Sequence, residues 1–181
     1  WSSDVCSSDL LEHIIRAAGE IAQDSELIVL GSQAVLSQFP QAPAELLVSE
    51  EADVFPKNRP ERAIDIDGAI GERSLFHQTH AIYAHGVSEE TATLPAGWRE
   101  RLVMVRNENT RNITGWCLEI HDLSIIKLVA GREKDLDYLR CLLRHHMVQP
   151  ATLRSRLQQT KLPTSQAELT AARLARLLAD V

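Results

Sequence analysis

Residues 27–54 constrain the fold more than any other stretch of the chain. A short apolar run ends at Gly31 and Ser32, and a helix-compatible segment and a loop follow. A second short run then carries Glu51 and Asp53. Apolar runs of this length bounded by polar residues are typical of buried strands. The stretch therefore predicts a strand, a tight turn into a short helix, and a second strand that carries two acids.

The two acids are separated by one residue on the second predicted strand. Alternate side chains on a strand point to the same face, so Glu51 and Asp53 project together, about 7 Å apart along the strand. Two carboxylates this close repel each other unless a positive charge lies between them, and a hard divalent cation is the usual solution. A solvated edge strand with Glu50 as a third surface acid also fits. The position of the pair after the glycine–serine turn favours the metal site.

The turn at Gly31 and Ser32 is a candidate binding site for a phosphate group. A turn that enters a helix presents backbone N–H groups, which attract anions. Gly31 permits a close approach of the backbone, and Ser32 offers a hydroxyl donor. The alternative is a plain strand-to-helix turn in which Ser32 only caps the helix.

Composition excludes several classes of protein. The chain has 181 residues, 44% of them hydrophobic and 24% charged, which is typical of a globular protein with one sizeable core. The formal net charge of −6 gives no overall attraction to nucleic acid or to an anionic membrane, although a local basic groove remains compatible with it. No apolar run reaches the length of a membrane helix. The three cysteines show neither paired nor metal-ligand spacing, so we expect a cytoplasmic protein.

Hydrophobic periodicity and turn residues predict alternating helices and strands. We expect helices over residues 10–23, 34–39, 61–77, 122–129 and 133–145 and two more near the end, and strands over 27–30, 81–87, 102–105 and 116–120 besides the acid strand. Residues 1–10 show no helical or strand period, and we interpret them as a non-native artefact in place of the natural N-terminus.

The acid strand and a later segment together resemble a known superfamily. Gly31-Ser32 and Glu51-Ala52-Asp53 are similar to the signature of the polymerase-beta-type nucleotidyltransferases. The run 118–135, which reads LEIHDLSIIKLVAGREKD, resembles small bacterial nucleotidyltransferase-like proteins, including DUF6036-like proteins and relatives of abortive-infection AbiEii-type toxins. The resemblance covers roughly residues 11–145. It implies an α/β fold, with a twisted mixed sheet of about four or five strands, helices packed on it, and a helical C-terminal extension over 146–181.

The resemblance also implies a set of site residues. Glu51 and Asp53 would be catalytic and would hold Mg²⁺ or Mn²⁺, and Glu119 would serve as the general base or as a third ligand. The sequence departs from the family at Glu51, where an aspartate is usual. Asp65 and Asp67 form a second acid pair, but we rank them below Glu119 because positions i and i+2 of a helix face different directions.

Gly31 and Ser32 would bind the nucleotide phosphates in this interpretation, with three cations in support. Lys127, Arg132 and Lys134 would contact the triphosphate or an RNA backbone. The alternative is a charged helix surface on which Glu133, Lys134 and Asp135 form local ion pairs.

The histidines do not show the spacing of a zinc site. We treat six of them as structural or surface residues: His77, His80, His85, His121, His145 and His146. His121 lies between Glu119 and Asp122 and is the histidine that we single out as a candidate proton carrier.

The function implied by the resemblance is metal-dependent transfer of a nucleotidyl group from a nucleoside triphosphate. The acceptor would be a tRNA, a protein hydroxyl or a small molecule. Kinship with toxins suggests a toxin–antitoxin or phage-defence role, with an antitoxin as a candidate partner. The competing hypothesis is a catalytically degenerate member that binds a nucleotide or another protein. A third hypothesis is a helical interaction module, since the apolar C-terminal helices are a candidate homodimer surface.

Overall fold

A computed structural model describes residues 7–180 of the chain, and these residues form two compact units. The first unit contains residues 7–91 and 102–118, and the second contains residues 92–101 and 119–180. The predicted artefact at residues 1–10 falls mostly outside the described residues. The predicted division into 11–145 and 146–181 stays a prediction.

The first unit combines three helices with all five described strands. In chain order they are α1 Ser7–Ala22, β1 Glu26–Val29, β2 Glu51–Pro56, α2 Ala63–Ile70, α3 Leu75–His80, β3 Tyr83–Gly86, β4 Val103–Val105 and β5 Thr114–Cys117. A six-residue 3₁₀ helix, Ser32–Ser37, follows β1.

The strands form one twisted, mixed sheet in the order β3-β2-β1-β5-β4. β1 is antiparallel to β2 and parallel to β5, β2 is parallel to β3, and β4 is antiparallel to β5. The predicted fold class, a mixed sheet of about four or five strands with helices packed on it, is confirmed.

The core of this unit is formed by the apolar faces that the periodicity predicts. Along α1, Leu11, Ile14, Ile15 and Ala18 are buried, and they lie on one face because residues three or four apart share a helix side. In β1, the three residues from Leu27 to Val29 are buried, as expected for a central strand. β2 lies beside β1, so the sheet holds the acid strand firmly in its interior.

The second unit consists mainly of four helices: α4 Ile120–Ala130, α5 Glu133–Arg144, α6 Pro150–Gln158 and α7 Thr164–Ala179. Helices α5, α6 and α7 all contact α4. A fully buried carboxylate, Asp122 on α4, accepts two hydrogen bonds from Arg101, at 2.8 and 3.0 Å. The Nε atom of Arg156 on α6 lies 3.2 Å from the same carboxylate. These two arginines neutralise a charge that is costly to bury alone.

Three predicted elements differ in detail from the structure. The helix expected over 61–77 is two helices, because the backbone is extended at Gly71 and Ser74 then caps α3 by accepting a hydrogen bond from the His77 N–H. The helix expected over 34–39 is a 3₁₀ helix over Ser32–Ser37. The strand expected over 116–120 ends at Cys117, because Glu119 already caps α4. Asp122, the first residue of the helix expected over 122–129, lies inside α4 and is a buried ion-pair acceptor.

Within residues 7–180, no helix combines the length and the apolar character needed to cross a membrane.

Candidate functional site

Strand β2 presents its two acids on one face, as the alternation predicts. Ala52 and Val54 are fully buried on the opposite face, whereas the side chains of Glu51 and Asp53 are about one-third exposed, at 32% and 37%. A carboxylate pair with this exposure is anchored by a buried strand and remains accessible to a ligand from solvent.

A histidine on the neighbouring strand completes a three-residue cluster. The parallel register of β2 and β3 places His85 directly beside Asp53. His85 Nδ1 lies 3.4 Å from Glu51 Oε1 and 3.9 Å from Asp53 Oδ1. One donor atom from each of the three residues lies within 4.8 Å of the other two. We define Glu51, Asp53 and His85 as the β2–β3 cluster.

A fourth side chain approaches the cluster from helix α2. His85 Nε2, the other ring nitrogen, lies 3.8 Å from Asp67 Oδ1. The close packing of α2 on β3 depends on Gly86, because a Cβ there would lie 1.9 Å from the Ala63 carbonyl oxygen at the start of α2. Asp65, two residues earlier on the helix, pairs with Arg62 instead.

The glycine–serine turn lies against the acid pair. A Cβ at Gly31 would lie 2.8 Å from the Asp53 backbone nitrogen and 3.0 Å from Asp53 Oδ2, so glycine allows the turn to approach this carboxylate. The Leu30 N–H also donates a 2.8 Å hydrogen bond to the Asp53 carbonyl oxygen. The helix that follows is a 3₁₀ helix of six residues. Phosphate binding here would therefore depend on the backbone N–H groups of the turn and on the Ser32 hydroxyl.

The donor set of the β2–β3 cluster fits a divalent cation. Two ligands about 2.1 Å from an octahedral ion are about 3.0 Å apart when adjacent and about 4.2 Å apart when opposite. The spacings of His85 Nδ1 from the two carboxylate oxygens fall within this range. One carboxylate oxygen of Glu51 and one of Asp53 lie within 4.8 Å of each other, so the extra methylene of Glu51, compared with the usual aspartate, leaves the two carboxylates side by side.

Glu119, the predicted third acid, is the N-cap of α4. Its carboxylate accepts hydrogen bonds from the backbone N–H groups of His121 and Asp122, at 3.0 and 3.4 Å. Burial alone raises the pKa of Glu119, but the hydrogen bonds from the His121 side chain and from the two N–H groups outweigh burial and leave the pKa below its ordinary value. A lowered pKa weakens a general base.

His121, the candidate proton carrier, is engaged at both ring nitrogens. The Gln149 backbone N–H donates a 2.9 Å hydrogen bond to His121 Nε2, so the proton of the neutral ring lies on Nδ1. Nδ1 lies 2.6 Å from Glu119 Oε1 and donates to it. His121 therefore connects the start of α4 to the start of α6.

Two of the three predicted nucleotide-binding cations hold a buried acid of their own unit. Asp135 is 1% exposed, and Lys127 Nζ and Arg132 Nε lie 3.3 and 2.7 Å from its two oxygens. Lys127 also lies over the ring of Tyr138, 4.4 Å from its centroid. Lys134 is exposed. The alternative interpretation expected Asp135 on a charged helix surface, but Asp135 is buried and is paired with Lys127 and Arg132.

Sequence reasoning missed His85, which we had grouped with the structural histidines. The predicted strand over 81–87 carries the signal that could have revealed it. Had this strand been paired in parallel with the acid strand, the alternation of side chains would have put His85 on the same face as the two acids. The structural interpretation fits His77 and His80 better. His77 Nε2 lies 2.9 Å from Glu50 Oε2, and the ring of His80 packs against those of His13 and Phe76.

A comparison with protein families decides the family of this chain. The model of DUF6036, described as a nucleotidyltransferase of unknown function, matches residues 9–174. The chain belongs to the DUF6036 family. No curated protein and no solved structure matches the chain significantly.

The DUF6036 match spans every residue that the sequence interpretation selected, from Gly31 to Lys134, and includes His85 and Asp67. The resemblance to a nucleotidyltransferase-like family is therefore confirmed, and the family description gives the general class of the protein.

The contact between Gly31 and Asp53 makes a prediction about stability. Gly31→Ala forces its Cβ against the Asp53 backbone, and we expect a loss of about 1–3 kcal/mol in the free energy of unfolding, measured by urea denaturation. Gly68→Ala is the matched control, because nothing lies within 4 Å of a Cβ there. In the helix α2 this control should gain about 0.5–1 kcal/mol. Equal stability of Gly31→Ala and the wild type would contradict the close approach.

The lowered pKa of Glu119 makes a prediction about pH. A carboxylate whose pKa falls on folding stabilises the protein above its unfolded pKa, and this contribution is lost as the pH falls through the folded pKa. We expect Glu119→Gln to cost about 1 kcal/mol at pH 7, with a smaller difference from the wild type towards pH 3. Urea denaturation at several pH values measures this. Glu108→Gln, at an exposed turn, is the control, and a difference independent of pH would contradict the account.

Proposed function

We propose that this protein transfers a nucleotidyl group from a nucleoside triphosphate to a hydroxyl acceptor in a metal-dependent reaction. One observation carries the proposal: Glu51 and Asp53 converge on one face of β2 beside the Gly31 turn, in a chain that belongs to a family of nucleotidyltransferases. This combination of an acid pair and an adjacent glycine–serine turn fits what the reaction requires.

The chemistry places defined demands on the site. The acceptor oxygen attacks the α-phosphorus of the triphosphate, the bond to the β-phosphate oxygen breaks, and pyrophosphate leaves while the acceptor proton passes to a base. A bound Mg²⁺ or Mn²⁺ would neutralise the charge that develops on the phosphate oxygens. Glu51 and Asp53 would hold that ion, and the Gly31 turn with the Ser32 hydroxyl would bind a phosphate group.

The remaining predicted residues take supporting roles. Glu119 stays a prediction as the base or third ligand, and in the structure its carboxylate caps α4 and accepts from His121. Lys134 is the exposed candidate for contact with the triphosphate, and Arg132, with a side chain 63% exposed, is a second one. Lys127, which is buried beside Asp135, would act by holding α4 and α5 together.

The proposal requires an acceptor that carries a hydroxyl group. A tRNA, a protein hydroxyl or a small molecule would each provide the attacking oxygen. A toxin–antitoxin or phage-defence role, with an antitoxin as partner, is the biological setting that kinship with toxins suggests. The net charge of −6 gives no overall attraction to RNA, so a tRNA acceptor would have to be bound by a local basic groove.

The competing function is a degenerate member of the family that binds a nucleotide or a protein partner without turnover. Its support is the β2–β3 cluster itself, because a protonated His85 could neutralise Glu51 and Asp53 as an ion pair without any metal.

Incubation with α-labelled nucleotides separates the two functions. The protein is mixed with each of the four labelled nucleoside triphosphates, Mg²⁺, total RNA and lysate protein, and transfer of label is measured. We expect transfer with at least one nucleotide and a loss of about 100-fold or more in Asp53→Asn, because the metal supplies several kcal/mol to the transition state. Asp65→Asn, on the nearby helix α2, is the matched control and should retain activity.

Two results would count against this proposal. Transfer that persists in Asp53→Asn would show that the acid pair is not the site. A complete absence of transfer with all four nucleotides, in the presence of nucleotide binding, would support the degenerate member instead.

A further inference from the structure

The β2–β3 cluster contains a nitrogen donor among its oxygen donors. His85 is fixed by the parallel pairing of β2 with β3, and its Nδ1 atom faces the carboxylate oxygens of both Glu51 and Asp53. Its side chain is half exposed, so the ring is accessible from solvent. The imidazole is therefore in a position to bind the same ion as the two acids.

The second ring nitrogen of His85 also faces a carboxylate, because Nε2 lies 3.8 Å from Asp67 Oδ1. In the tautomer with its proton on Nε2, the lone pair of Nδ1 is directed at the acid pair. A carboxylate facing the second nitrogen is also the arrangement that orients metal-bound histidines in proteins.

The local charge also favours a cation. Three carboxylates, those of Glu51, Asp53 and Asp67, lie within 4 Å of one imidazole. A divalent ion between Nδ1 and the carboxylates of Glu51 and Asp53 would attract all three of these ligands.

We propose that His85 Nδ1 is the third protein ligand of the cation held by Glu51 and Asp53, and that the cluster consequently binds Mn²⁺ more tightly than Mg²⁺. The inference rests on the metal site of the proposed function and adds its third ligand and its ion preference. Mg²⁺ prefers oxygen ligands in a strict octahedron, whereas first-row transition ions accept imidazole nitrogen. Three protein ligands leave three octahedral positions for water and for phosphate oxygens.

Pulsed electron paramagnetic resonance of bound Mn²⁺ tests this ligand directly. Electron spin-echo modulation detects ¹⁴N that is coordinated to Mn²⁺, and Mn²⁺ alone is used because a nucleotide carries nitrogen donors of its own. The wild type is compared with His85→Gln, which keeps a polar side chain of similar size without the imidazole. His146→Asn is the control, since it removes an exposed histidine at a positive φ of 54° that asparagine tolerates.

We expect ¹⁴N modulation in the wild type and in His146→Asn, and none in His85→Gln. Competition titrations should give a Kd for Mn²⁺ about 10-fold or more below that for Mg²⁺ in the wild type, and the preference should fall by about 10-fold in His85→Gln. Circular dichroism verifies that each variant is folded.

The outcomes separate this inference from the function on which it rests. Mn²⁺ that binds, is lost in Asp53→Asn and shows no ¹⁴N modulation would overturn the His85 ligand and leave the acid-pair metal site intact. Modulation that persists in His85→Gln would assign the nitrogen to another residue and overturn the inference as well. An absence of Mn²⁺ binding in the wild type would overturn both, and His85 would then be an ion-pair partner of the acids.

Discussion

The convergence of three carboxylates on one imidazole is the constraint on which the candidate site of the first unit depends. β2 places Glu51 and Asp53 on one face, α2 adds Asp67, and the imidazole of His85 lies among the three. Like charges repel at these distances, although the side chains are one-third to one-half exposed and water screens part of the repulsion. The proposed cation would remove the rest of this repulsion, while buried apolar residues on the opposite face of β2 hold the acid strand in the sheet.

Two close backbone approaches bring this group together. Gly31 allows the turn after β1 to lie against Asp53, and Gly86 allows the start of α2 to lie against the end of β3. Each approach would be blocked by a single methyl group. The sheet order brings the turn and the histidine to the acid strand, because β2 lies between β1, which leads into the turn, and β3, which carries His85. The chemistry of the site is thus a consequence of strand pairing.

The parts of this arrangement that follow local rules could be predicted from the sequence. Period-two alternation correctly placed Glu51 and Asp53 on one face, and helical periodicity identified the buried face of α1. His85 was missed because its position beside the acids depends on which strands pair and in which direction, and that information is not local. Glu119 was placed on a strand because glutamate is not among the usual N-cap residues, although its carboxylate caps α4. The pairing of Lys127 and Arg132 with Asp135 was not predicted, because exposed and buried acids look alike in a sequence.

Calorimetric titration with nucleotide analogues tests the central claim, that the acid pair binds nucleotide phosphates through a divalent ion. Analogues with an uncleavable α,β bridge keep the triphosphate intact, and each of the four bases is titrated in Mg²⁺ and in chelator. We expect binding of at least one analogue in Mg²⁺, its loss in chelator, and an affinity about 10-fold or more weaker in Asp53→Asn. Binding of equal strength with and without the metal, or an unchanged affinity in Asp53→Asn, would contradict the account.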